Sequence, residues 1–98
     1  MMTLKDCLMH SQSQLFRLLM RHYRGNCVVR KGAYILVQGE APVLLVAHLD
    51  TVHNEPVRTI CKSEDGNILM SPQGIGGDDR CGVFALQSIY ATAKKKPW

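Results

Sequence analysis

His48 and Asp50 stand two residues apart at the end of an apolar run, Val43-Leu44-Leu45-Val46-Ala47-His48-Leu49-Asp50-Thr51-Val52. Asp78 and Asp79 follow a glycine-rich turn, Gly74-Ile75-Gly76-Gly77-Asp78-Asp79-Arg80-Cys81-Gly82. These residue types suit metal chemistry. Imidazole binds zinc, cobalt or manganese, and a neighbouring carboxylate can orient the ring through its other nitrogen. Aspartates offer hard oxygen ligands, and one carboxylate can bridge two metal ions. In extended chain the i, i+2 spacing puts His48 and Asp50 on one side. Each motif also has a plainer reading. An H-x-D after a strand is often a satisfied loop histidine, and a G-G-D-D turn is often only a helix N-terminus, where the dipole favours aspartate.

Such ligands must be aimed rigidly, and the carboxyl end of a buried strand does that well. Residues 43–47 are all apolar, which predicts a central strand covered on both faces. Upstream, Thr3 and Asp6 predict a capped helix ending near Met9, and His10-Ser11-Gln12-Ser13 predicts a turn with a second cap. Leu15, Leu18, Leu19 and Tyr23 keep one face dry in a helix over 12–24, with Gly25 beyond its basic last turn. Residues 27–30 and 34–38 read as strands around Lys31-Gly32, and 57–61 with 68–70 as a hairpin around Glu64-Asp65-Gly66-Asn67. Val83, Leu86, Ile89, Tyr90 and Ala93 predict a helix over 80–95. The order implies an α/β layer structure with helices over a mixed sheet. That last helix has the place of a crossover between parallel strands, yet no further strand is predicted after it.

At 98 residues the chain makes one small domain. With 46% hydrophobic and 20% charged residues it is globular rather than disordered. Lys94, Lys95 and Lys96 hold three of its +4 net charges and read as a solvated helix end, so nucleic acid is the least favoured partner. Four spread cysteines without a C-x-x-C pair predict reduced, mostly buried thiols in a cytoplasmic protein. Lys5, Asp6 and His10 interrupt any signal-peptide core, and no apolar run reaches membrane-span length.

Taken together, the apolar strand with H-x-D-T-V at His48 to Val52 and the Asp78-Asp79-Arg80-Cys81-Gly82 motif resemble the clan of co-catalytic dizinc exopeptidases. The clan includes aminopeptidases and carboxypeptidase or deacylase relatives, and D-D-R-x-G matches its glutamyl and deblocking aminopeptidase branch. The resemblance covers nearly the whole chain, His10-Ser11-Gln12-Ser13 included. It implies a three-layer zinc-exopeptidase-like fold with a mixed sheet and helices on both faces, of which residues 1–98 are the N-terminal part of one catalytic domain, cut after the helix that follows the bridging aspartate. His48 would ligate one metal, Asp50 would orient His48 as a catalytic residue, and Asp78 would bridge two divalent ions, zinc first, cobalt or manganese otherwise. Asp79 would follow across a cis peptide, while Gly77, Arg80 and Gly82 would support the turn. His53 reads as a loop residue near the cleft. The implied activity is attack of metal-activated water on the carbonyl of a peptide or N-acyl amino acid. The resemblance also requires a Glu-Glu pair, a further acidic ligand and a final histidine, which would lie beyond Trp98; Glu40, Glu55 and Glu64 sit in turns before Asp78 and are poor substitutes. Alone, these residues are expected to hydrolyse no peptide. The alternative is a non-catalytic remnant of the fold that binds metal weakly or self-associates into a homo-oligomer.

Overall fold

Two reciprocal caps open the chain; the first matches the Thr3–Asp6 spacing, and the second pairs Ser11 of the predicted turn with Gln14. The structure, a computed structural model, describes residues 2–51, 55 and 57–98. Helix α1 (Leu4–Met9) starts where Thr3 Oγ1 accepts the Asp6 N–H at 3.2 Å and Asp6 Oδ2 accepts the Thr3 N–H at 2.9 Å. Helix α2 (Gln12–His22) repeats the device with Ser11 and Gln14. It ends two residues earlier than its periodicity predicts. The Arg24 N–H reaches back to the Arg21 carbonyl in a tighter turn, and Gly25 then takes φ 85° and swings the chain away.

Strands β1 (Cys27–Arg30) and β2 (Tyr34–Val37) form an antiparallel pair with Val28 opposite Leu36. The predicted second hairpin is present in shorter form. Only β3 (Cys61–Lys62) and β4 (Leu69–Met70) pair, and Asp65 Oδ1 ties the turn by accepting the Asn67 N–H. Val57 to Ile60 leave the ladder because Gln73 Oε1 takes the N–H groups of Arg58 and Thr59 instead. Rather than one mixed sheet, the described residues thus carry two small antiparallel sheets. Helix α3 (Gly77–Thr92) starts with Asp78 and Asp79 off helical geometry, so regular helix begins at Arg80. It stops three residues before the predicted end, and Lys96 Nζ folds back onto the carbonyls of Tyr90 and Ala91.

The core lies between α1, α2 and α3, where Cys7, Leu15, Leu19 and Val83 meet, with Ala47, Leu49 and Phe84 packed against them. Residues 43–51 form no strand element, although from Leu44 onward they alternate in burial, with Leu45, Ala47, Leu49 and Thr51 turned inward. The prediction of a strand covered on both faces is corrected here. Leu44 is 64% and Val46 79% exposed, because nothing among the described residues covers that side.

As expected, no strand element follows α3 among the described residues. Beyond α3 the chain returns alongside this segment. The Trp98 N–H donates to the Val43 carbonyl, and the Leu45 N–H donates to the Trp98 carbonyl, both at 2.9 Å. That pattern is one rung of a parallel ladder around Leu44. The Lys96 carbonyl accepts from Glu40 and Ala41 in the same approach. Gly39 makes it possible, since a Cβ there would collide with the Pro97 carbonyl group.

Candidate functional site

The i, i+2 alternation that turns Ala47 and Leu49 inward places His48 and Asp50 together on the exposed side of the segment. His48 Nδ1 lies 3.0 Å from Asp50 Oδ1 and 3.1 Å from the Asp50 carbonyl oxygen. Two acceptors on that nitrogen favour a proton there, which leaves the Nε2 lone pair facing outward. Asp78 Oδ1 stands 3.5 Å from Nε2. Partial desolvation lowers the pKa of the imidazole, but the charge of Asp50, its carbonyl, and then Asp79 and Asp78 outweigh it and raise the pKa.

Three residues of the Asp78-Asp79-Arg80-Cys81-Gly82 motif hold this arrangement in place. Asp79 Oδ2 accepts the backbone N–H of His48 at 3.0 Å. Gly82 allows it, because a Cβ on residue 82 would run into the Asp79 carboxylate, with Cγ at only 2.8 Å. Arg80 is 3% exposed and donates from Nε to the Leu49 carbonyl at 2.5 Å. Its Nη1 donates to the carbonyls of Cys7 at 2.7 Å and His10 at 2.9 Å. Burial lowers the pKa of this guanidinium, opposed by the charges of Cys7 and Asp50. Gly77 sits in the turn between Gly76, at φ 65°, and Asp78.

Among the described residues every peptide bond is trans, which corrects the expected cis link from Asp78 to Asp79. A non-proline cis bond is costly, and here a ψ of 115° at Asp78 redirects the chain instead. The cysteine expectation also changes. Cys7 is buried, but Cys61 and Cys81 are exposed, because they sit on the open hairpin and on the outer face of α3. His53 lies outside the described residues. Glu55 is paired with Arg58 at 3.2 Å.

Compared with known proteins, the chain matches no family model, no curated protein and no solved structure. No helix among the described residues is long and apolar enough to cross a membrane.

The site itself provides the test of metal fit. A separation of 3.5 Å is long for a hydrogen bond. It is close to the roughly 3.4 Å between two donors on a tetrahedral ion at zinc–ligand distances of about 2.0–2.2 Å. Donor types and spacing therefore suit one divalent cation held by His48 Nε2 and Asp78 Oδ1. The number of donors is small: among the described residues no group of three His, Cys, Asp or Glu side chains could hold a metal ion. Sequence reasoning missed the part played by Asp79, the acceptor that fixes the His48 backbone. The available clue was Gly82, three residues on and hence a neighbour on the same helical face.

Proposed function

We propose that His48, Asp50 and Asp78 form one wall of a metal-dependent hydrolase site of the exopeptidase type, acting on a peptide or N-acyl amino acid. The supporting observation is the line from Asp50 through both imidazole nitrogens of His48 to Asp78, at 3.0 and 3.5 Å. Asp50 holds the Nδ1 proton and sets the ring orientation. His48 Nε2 and Asp78 Oδ1 are the donors that would hold a divalent ion, with zinc as the preferred occupant. When bound, such ions activate water and polarise a scissile carbonyl. Asp79 and Arg80 fix the backbone on either side of His48, so the ring has a defined approach. In this reading the general base and the remaining ligands belong to sequence other than these 98 residues.

Calorimetric titration with zinc tests the assignment. His48→Ala should abolish measurable uptake, and Asp78→Asn should weaken it strongly, since each removes a ligand. Unchanged affinity in both variants overturns it. The chain alone is expected to leave an aminoacyl anilide intact, and turnover abolished by Asp78→Ala would contradict that expectation.

The exposed Leu44 and Val46 favour a second reading, a non-catalytic chain that self-associates through this face. Sedimentation separates the two, since Val46→Lys would dissolve such an oligomer and leave zinc uptake unchanged.

A further inference from the structure

Two basic stretches far apart in sequence meet at one end of the molecule. Tyr23, which caps the C-terminus of α2, packs edge-on against Tyr90 of α3, with ring centroids 5.6 Å apart. The Tyr90 hydroxyl accepts from Asn26 Nδ2 at 2.6 Å and donates to the Gln38 carbonyl at 3.0 Å. These contacts hold the end of α2, with Arg21 and Arg24, beside the end of α3, which Lys94, Lys95 and Lys96 follow. The reading of the lysines as a helix end changes with this geometry. Helix α3 stops at Thr92, so all three lie beyond it, and only Lys96 returns to its terminal carbonyls. Arg21, Arg24, Lys94 and Lys95 are exposed, and none has an ion-pair partner among the described residues.

The helix dipole accounts for part of this cluster. Each helix C-terminus carries about half a negative charge, so the two ends together match about one cation. Glu40, whose N–H donates to the Lys96 carbonyl at 2.7 Å, is an acidic neighbour and offsets about one more. Set against the five cations, these leave a surplus of about three positive charges.

We propose that this end of the molecule binds a nucleic acid through its phosphate backbone, without reading its bases. A local surplus of cations attracts a polyanion, and long basic side chains on two separate turns suit a run of phosphates. Every nucleotide carries a charge, so such a surface is matched without any special sequence. An acidic polypeptide would need its carboxylates placed for the purpose. The other exposed residues of the two ends, Gly25, Asn26, Ala91 and Thr92, are small or polar. They offer no large apolar side chain to insert into a lipid surface, which argues against a membrane. The inference does not depend on the metal reading, because no residue invoked here is a proposed ligand.

Fluorescence anisotropy of a labelled oligo(dT) of about 20 nucleotides tests this on the full chain. The dissociation constant should be about 100 µM or tighter, and oligo(dA) should bind equally well. Phosphate contacts from Arg21, Arg24, Lys94 and Lys95 predict a log–log salt slope of about −3, a loss of about fifty-fold between roughly 50 and 200 mM salt. Arg21→Gln with Arg24→Gln should halve that slope, and so should Lys94→Gln with Lys95→Gln. Arg30→Gln with Lys62→Gln removes the same charge elsewhere and should leave it unchanged. All six side chains are exposed, so circular dichroism should not move in any of these variants. An equal loss from the Arg30 and Lys62 pair would reduce the effect to net charge and overturn the proposal. A response to only one of the other two pairs would overturn the joint surface. Tighter capture by polyglutamate or by phosphatidylserine vesicles overturns the choice of nucleic acid, as does unchanged anisotropy at about ten times the expected dissociation constant.

Discussion

The carboxylate of Asp79 accepts the backbone N–H of His48 at 3.0 Å, across 31 residues of sequence, and it does so over the bare Cα of Gly82. The glycine and the aspartate therefore form one device, a side-chain bridge from the start of α3 to the histidine segment. Any side chain at residue 82 forces the carboxylate aside.

Gly82→Ala should destabilise the fold by about 1–3 kcal/mol, the usual range for forcing a methyl into a filled site. Exchange at the His48 amide should accelerate with it. Asp79→Ala alone should cost about 1 kcal/mol for the lost acceptor. Because the double variant has no carboxylate left to collide with, the two costs should fall short of adding. Simple additivity in denaturant unfolding would show that Gly82 is not needed for Asp79.

Arg80 works on the neighbouring peptide. Its fork joins Leu49 to Cys7 and His10, so one buried cation ties the histidine segment to the end of α1. Lysine carries the charge but not three donors in a plane. Arg80→Lys should cost about 2 kcal/mol, lowering the melting temperature by roughly 10 °C for a domain of this size. A shift below two degrees would mean that these carbonyls are satisfied without the guanidinium.

Local devices were legible from sequence. The cap at Thr3 was visible because its partner Asp6 lies three residues on, and the second cap was visible only as a serine-rich turn, without its partner Gln14. The β1–β2 pair was visible because apolar runs flank a tight turn, and the His48–Asp50 pair because alternation is a local rule. Long-range partners were not. Nothing near Arg80 announces carbonyls 31 to 73 residues away, and the apolar character of Leu44 and Val46 states a preference for burial without saying what supplies it. The return of Trp98 to Leu44 escaped notice because a single rung has no periodicity to read.

Asp50 offers a test of orientation as distinct from ligation. It touches His48 Nδ1 and lies on the far side of the ring from Asp78. Asp50→Asn should reduce zinc affinity about 10-fold or more, the range seen when a partner that orients a ligating histidine is lost. The uptake stoichiometry should stay unchanged, whereas His48→Ala should abolish it. Equal loss in the two variants would make Asp50 a ligand in its own right.

The buried thiol of Cys7 sets an alkaline limit on stability. Burial raises its pKa above the ordinary 9.0, with Gln87 and Arg80 opposing and Asp6 and Cys81 adding. From about pH 9 upward the unfolded chain has released a proton that the folded chain keeps. The unfolded state then binds fewer protons, so stability falls as pH rises until the folded thiol also ionises. One such group accounts for at most about 1.4 kcal/mol per pH unit. Tyr23, raised by burial from 10.0, adds to the decline only at higher pH. Cys7→Ala should lower stability everywhere by opening a cavity, yet flatten the fall between pH 9 and 10. Melting curves across that interval decide the matter, and an equal slope in both proteins would remove Cys7 as the cause.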